Sequence, residues 1–205
     1  DGTQGNSNSG DHTYQTPISG DGRFVAFISE ASNLVVGDTN GKEDIFVHDR
    51  LTGVTERVSV ASDGTQANGG SVYASAPPSI SGDGRFVAFS SWASNLVPGD
   101  TNGYGDIFVH DRQTGVTERV SVASDGTQGN EDSWYRPAFS ADGRYVAFES
   151  YASNLVPGDT NGHEDIFVRD RQASTTERVN ISAAGEQANW VSDWPAISAD
   201  GPINL

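Results

Sequence analysis

The chain has no cysteine and no methionine, a single lysine (Lys42), and no long apolar run. Without cysteine there is no disulfide framework and no thiolate chemistry, so the redox compartment stays open. No segment approaches the ~18 consecutive apolar residues of a membrane span, and no secretion signal is present, so membrane insertion is not expected. A sequence that starts at Asp1 and contains no methionine reads as a processed or excised part of something longer. Positive charge is scarce as well: 12 Lys and Arg face 28 Asp and Glu, for a formal charge of −16. That field repels nucleic-acid phosphates and anionic lipid and favours a cationic partner or a bound metal; surplus acid also keeps an extracellular surface soluble. Catalytic signatures are missing too. There is no nucleophile elbow, no His-Glu-x-x-His helix and no glycine-rich phosphate loop, and the four histidines are scattered, so no enzyme is expected.

What is present is repetition. The phrase Gly-Asp-Thr-Asn-Gly-x-x-Asp-Ile-Phe-Val-x-Asp-Arg begins at Gly37, Gly99 and Gly158. Asp38 to Asp100 spans 62 residues and Asp100 to Asp159 spans 59. The Asp-Gly turns at Asp21, Asp83, Asp142 and Asp200 keep the same step, which is the mark of a repeat architecture. The units run 1–62, 63–124 and 125–184, and 185–205 copies only the opening third of a unit. Nothing between them resembles a linker, so the whole of 1–205 is one array.

The third unit shows the pattern. Arg136–Ser140 is a short apolar run closed by an Ala-Asp-Gly turn, and Arg144–Ser150 is rich in aromatic and branched residues. Asp165–Asp170 follows the acidic loop, and Thr176–Ser182 alternates polar and apolar as a half-exposed strand does. Leu51–Gly53 and Gln113–Gly115 read as tight hairpin turns, and no stretch holds a helical period over ten residues. Four antiparallel strands per unit predict an all-β fold of β-propeller blades, three full and one partial. The recurring Ile-Ser-x-Asp-Gly-Arg-Phe/Tyr-Val-Ala-Phe, Asp-Ile-Phe-Val-x-Asp and Arg-Val-Ser resemble the TolB-type, WD-like propeller repeat over nearly the whole chain. That resemblance implies a scaffold, a binding module or a cap on a peptidase.

The acidic loops are candidate Ca²⁺ sites. Asp38, Asn40 and Asp44 fall at positions 1, 3 and 7, as do Asp100, Asn102 and Asp106, and Asp159, Asn161 and Asp165. Calcium takes six to eight oxygens, and Gly41, Gly103 and Gly162 allow the turn that brings a position-5 carbonyl inward. The spacing resembles a shortened calcium loop of the FG-GAP propeller repeats and of dockerin, where position 5 is usually acidic. Here it is Lys42, Tyr104 or His163, so only the carbonyl would serve. The alternative is an Asx-turn loop that caps its own backbone and needs no metal.

Arg23, Arg85 and Arg144, with Arg50, Arg112 and Arg171, read either as a ligand ring or as pairs that tie blade to blade. Trp92, Trp134, Trp190, Trp194, Tyr14, Tyr73 and Tyr135 read as a sugar-stacking face or as contacts between blades. Propellers close with roughly four to eight blades, so three and a third leave strand edges and end faces open. The expected function is a calcium-stabilised structural module that self-associates as a homo-oligomer or filament, secreted or on the cell surface, with the periplasm as the other compartment. The alternative is a propeller that binds a glycan or protein ligand.

Overall fold

The computed structural model describes residues 4–7, 16–71 and 76–201. Tyr14, Tyr73 and Pro202 lie outside the described residues. Eleven strands fall into three antiparallel sheets among them. The first sheet joins β1 (Phe24–Ser29), β2 (Asp44–Asp49) and β3 (Val54–Arg57). The second joins β4 (Ser79–Ile80), β5 (Phe86–Ser91), β6 (Asp106–Asp111) and β7 (Val116–Arg119) in that order. The third repeats it with β8 (Ala138–Phe139), β9 (Tyr145–Ser150), β10 (Asp165–Asp170) and β11 (Thr175–Arg178). No described residue is helical.

Two expectations need correction. The first sheet has three strands, its inner element being a single bridge from Ile18 to Val25. Among the described residues no preceding blade covers that edge: Ile18 is 49% exposed, whereas its counterpart Ile80 is 9% exposed. The fourth strand, expected over Thr176–Ser182, ends at Arg178. Beyond it the Asn180 side chain turns in to Asp165, and Ile181 bridges Gln187 instead.

Side-chain alternation places one face of each sheet on the next blade. Ala26, Ile45, Val47 and Val58 of the first blade share a cluster with Val87, Phe89, Leu96 and Phe108 of the second. Ala88, Ile107, Val109 and Val120 of the second do the same with Val146, Phe148, Leu155 and Phe167 of the third. Each blade aligns one phenylalanine pair across its middle strands, Phe27 opposite Phe46, Phe89 opposite Phe108 and Phe148 opposite Phe167, with ring centroids 5.8, 6.1 and 5.9 Å apart. At the inner edge, backbone bonds string the Asp-Gly turns together: Gly20 donates to Gly82, Gly82 to Ala141, and Ala141 to Ala199, at 2.8, 2.9 and 2.8 Å. Arg112 reaches back to Glu56 at 2.5 Å and Arg171 to Glu118 at 2.6 Å, so ion pairs also join neighbouring blades. Strand alternation sends the acidic loops and the segments between units to one end of the molecule, opposite the Asp-Gly turns.

Candidate functional site

The predicted loop residues do converge, and what they converge on is a guanidinium. Arg57 Nη1 lies 3.0 Å from Asp38 Oδ1, 3.4 Å from Asp44 Oδ2 and 3.0 Å from Gln66 Oε1. Arg119 Nη1 is 3.0 Å from both Asp100 and Asp106, and Arg178 Nη1 is 3.1 Å from Asp159 and 3.2 Å from Asp165. The second carboxylate oxygen of each strand-opening aspartate is held by a side chain from beyond the fourth strand. Ser59 donates to Asp44 at 2.5 Å, Ser121 to Asp106 at 2.6 Å, and Asn180 to Asp165 at 2.6 Å.

Position 3 is decided by the backbone. The N–H groups of Lys42, Tyr104 and His163 donate to the side-chain oxygens of Asn40, Asn102 and Asn161. An amide whose oxygen is engaged there turns its NH₂ the other way, and Asn40 donates to Asp44 at 2.8 Å, Asn102 to Asp106 and Asn161 to Asp165 at 3.1 Å. Position 3 therefore offers donors to the centre where a calcium shell asks for oxygen. Positions 1 and 7 come together as expected, while position 5 contributes its N–H, with Lys42 exposed and His163 beside Trp190. Burial pushes the pKa values of Asp44, Asp100, Asp106 and Asp159 up, and arginine charge and hydrogen bonds oppose the rise. Sequence did carry a signal for Arg57, Arg119 and Arg178: each follows its strand-opening aspartate by 13 residues.

A second cluster stands at the same end, in the third blade alone. Glu149 lies near the end of β9, on the face opposite Val146 and Phe148, and Glu164 precedes β10; both are buried. The backbone N–H of Trp194 donates to Glu149 Oε1 at 2.5 Å. Trp134 meets Trp92, Tyr135 and Tyr151 edge-on, with centroids 6.2, 5.7 and 6.1 Å away. Burial pushes Glu149 up to about 7, with Glu164 and Asp193 adding to the rise and the Trp194 N–H and Arg136 opposing it. Glu164 is raised by burial too, against the Tyr151 hydroxyl and the Trp134 indole. Neither glutamate stands out as a motif: Glu149 shows only as a departure from Ile28 and Ser90, and Glu164 shares its position with Glu43 and Gly105.

Because the folded pKa of Glu149 lies above its unfolded value, the native state holds an extra proton between about pH 4.5 and 7. Stability from this group is present below that window and lost as pH rises through it. The melting temperature is expected to fall between about pH 4.5 and 7, and Glu149→Gln to flatten the slope, as thermal unfolding followed by circular dichroism would read.

No family model matches the sequence, and no curated protein does. Solved structures do. A TolB protein of Acinetobacter baumannii is 21% identical over 95% of this chain and 36% of its own, with a TM-score of 0.52. A TolB of Agrobacterium tumefaciens is 18% identical over 82% of this chain and 49% of its own, at 0.50. The fold is that of β-propeller blades, as in these TolB structures. The propeller domain of the Trilobed protease of Pyrococcus furiosus, described as having an open velcro topology, is 15% identical over 86% of this chain and 44% of its own, also at 0.50. The chain spans roughly a third to a half of the length of these structures.

Proposed function

We propose that the chain is a structural propeller module that assembles with further copies of itself, the front of blade three seating on the back of blade one. The supporting observation is repeat equivalence. Each blade-to-blade contact inside the chain buries a valine whose counterpart in the last blade is left open: Val58 and Val120 are 0% and 1% exposed, while Val179 is 42% exposed. Ile181 is 47% exposed where Val122 is 7%. The charges match as well. Glu56 meets Arg112 and Glu118 meets Arg171 across the two internal contacts; Glu177 and Arg50 are the corresponding exposed residues at the two ends. The segment around Ala199 already occupies the inner-strand position of the next blade, so the incoming copy yields its one-bridge edge at Ile18.

In this reading the three arginine clasps neutralise the acidic loops and hold each second-to-third-strand connection. Calcium enters as an exchange, since an ion at the same centre would displace Arg57, Arg119 or Arg178. We expect the same melting curve in millimolar Ca²⁺ and in excess chelator; a rise with Ca²⁺ would restore the metal-stabilised reading. Placement outside the cytoplasm belongs to the same proposal.

Light scattering tests the assembly. The expected mass corresponds to two or more chains, with Arg50→Glu shifting it toward monomer and a mixture of Arg50→Glu and Glu177→Arg chains recovering association. A monomer at every concentration, or charge reversal without effect, would end the proposal.

A further inference from the structure

The third unit departs from the repeat at several positions that meet in space. Where the first two units carry Ile28 and Ser90, Glu30 and Trp92, and Glu43 and Gly105, the third carries Glu149, Tyr151 and Glu164. Blade one has a glutamate, Glu43, at the Glu164 position, but neither blade one nor blade two has a carboxyl at the Glu149 position, so blade geometry does not call for the Glu149–Glu164 pair. Burying two carboxyls works against folding unless something compensates their charge. Glu149 and Glu164 are only 3% and 4% exposed; the Tyr151 hydroxyl and the Trp134 indole act on Glu164, yet its Oε1 atom is left without a hydrogen bond. Around them the aromatics stay open to solvent, Tyr135, Tyr151 and Trp194 being 39%, 41% and 65% exposed. Tyr135 and Trp194, each two residues past the corresponding serines Ser133 and Ser192, hold φ values of 65° and 62°. Bulky side chains rarely take that conformation, and where it persists it concentrates at functional positions.

We propose that Glu149 and Glu164, walled by Trp134, Tyr135, Tyr151 and Trp194, bind a primary ammonium group, carried by a lysine side chain or by a free alkyl amine. The ammonium brings N–H donors to the open oxygen of Glu164 and positive charge to the pair, and its methylenes lie against the rings. Rings set at 68° to 84° to one another present faces to a cation from several sides, and Trp194 already receives the Arg136 guanidinium at 4.4 Å. A hard metal ion wants six to eight oxygens, whereas these walls offer carbon faces and an indole donor. A neutral sugar would leave the charge uncompensated. Asp193 adds negative charge to the site and Arg136 opposes it. With no cation bound, the carboxyl pair retains a proton that an incoming ammonium displaces, so binding strengthens as pH rises.

Tryptophan fluorescence of the full chain, titrated with n-butylammonium chloride and with the peptide acetyl-Gly-Lys-Gly-amide, tests this. Saturable binding is expected at about pH 8, weaker by about tenfold in Glu164→Gln, the loss of one charge-assisted hydrogen bond. Binding should also weaken toward about pH 5.5 as the pair takes up its proton. Tetramethylammonium, which has no N–H, should bind less tightly than n-butylammonium. A tighter peptide assigns a displayed lysine; equal affinities assign a free amine. Trp194→Ala changes an exposed ring and gives a second, fold-neutral arm, expected to weaken binding severalfold. The proposal fails if wild type and Glu164→Gln bind alike, if methyl glucoside binds as well as the amine, or if nothing saturates below about 0.1 M, the weak end for so few atoms.

Discussion

Replacing Arg119 by methionine is expected to remove about 3–5 kcal/mol of folding stability, the cost of breaking a buried ion pair from one side. The side chains of Arg119, Asp100 and Asp106 are 9%, 4% and 0% exposed, and both carboxylates sit 3.0 Å from one guanidinium nitrogen. Methionine fills much of the volume, so the loss reports charge more than cavity. In a chain of this size the melting temperature should drop by about 10 °C. The pH dependence separates this cause from a packing defect. Burial already raises Asp100 and Asp106, and removal of Arg119 raises them further, so the folded state takes up protons that the unfolded state gives up above the usual carboxylate range. The deficit is therefore largest near neutral pH and shrinks as pH falls; a pH-independent deficit would argue for lost contacts alone. Arg144→Met is the contrast: its pair with Asp170 has a side chain 35% exposed, and screening should leave a much smaller effect. Urea unfolding of the three proteins at two pH values decides the point.

Gly143→Ala is expected to cost about 2–5 kcal/mol, from a left-handed backbone plus an overpacked contact. Gly143 has φ 68°, and a Cβ there would stand 2.4 Å from the Phe86 ring. That ring has little room to yield, because Arg85 and Arg171 lie over it at 4.7 and 4.2 Å. Gly103→Ala isolates the backbone part. Gly103 has φ 76° with nothing within 4 Å, so only the conformational cost of about 1–2 kcal/mol applies. Equal losses for the two variants would mean that the blade-to-blade contact relaxes, contrary to the close seating of Phe86 on the turn of the next blade.

The strands were legible in the sequence because their causes are local. Asp165–Asp170 carries a β-branched and aromatic run between turn signals, and the strand occupies the same residues. The hairpin turns followed from Gly53 and Gly115, which hold φ 73° and 74°; the third unit reaches the same shape with Ser174 at 57°. The end of the fourth strand was not legible. Asn180 reads as another alternating polar residue until its side chain is seen bonded to Asp165, 15 residues away. The acidic loops illustrate a further limit. Spacing shows which oxygens stand near one another, but the cation that faces them comes from another strand, and the amide of Asn40 is oriented by a backbone N–H.

Sequence by itself determined the repeat, its step, the strands and the turns, because periodicity and glycine chemistry act within a few residues of where they are written. Tertiary structure decided what faces the buried charge. Arg57 reaches Asp38 from 19 positions along the chain, and Glu149 and Glu164 meet only because β9 and β10 pair. Charges are settled by distance in space, since a buried carboxylate must find its partner or its proton wherever the fold places one.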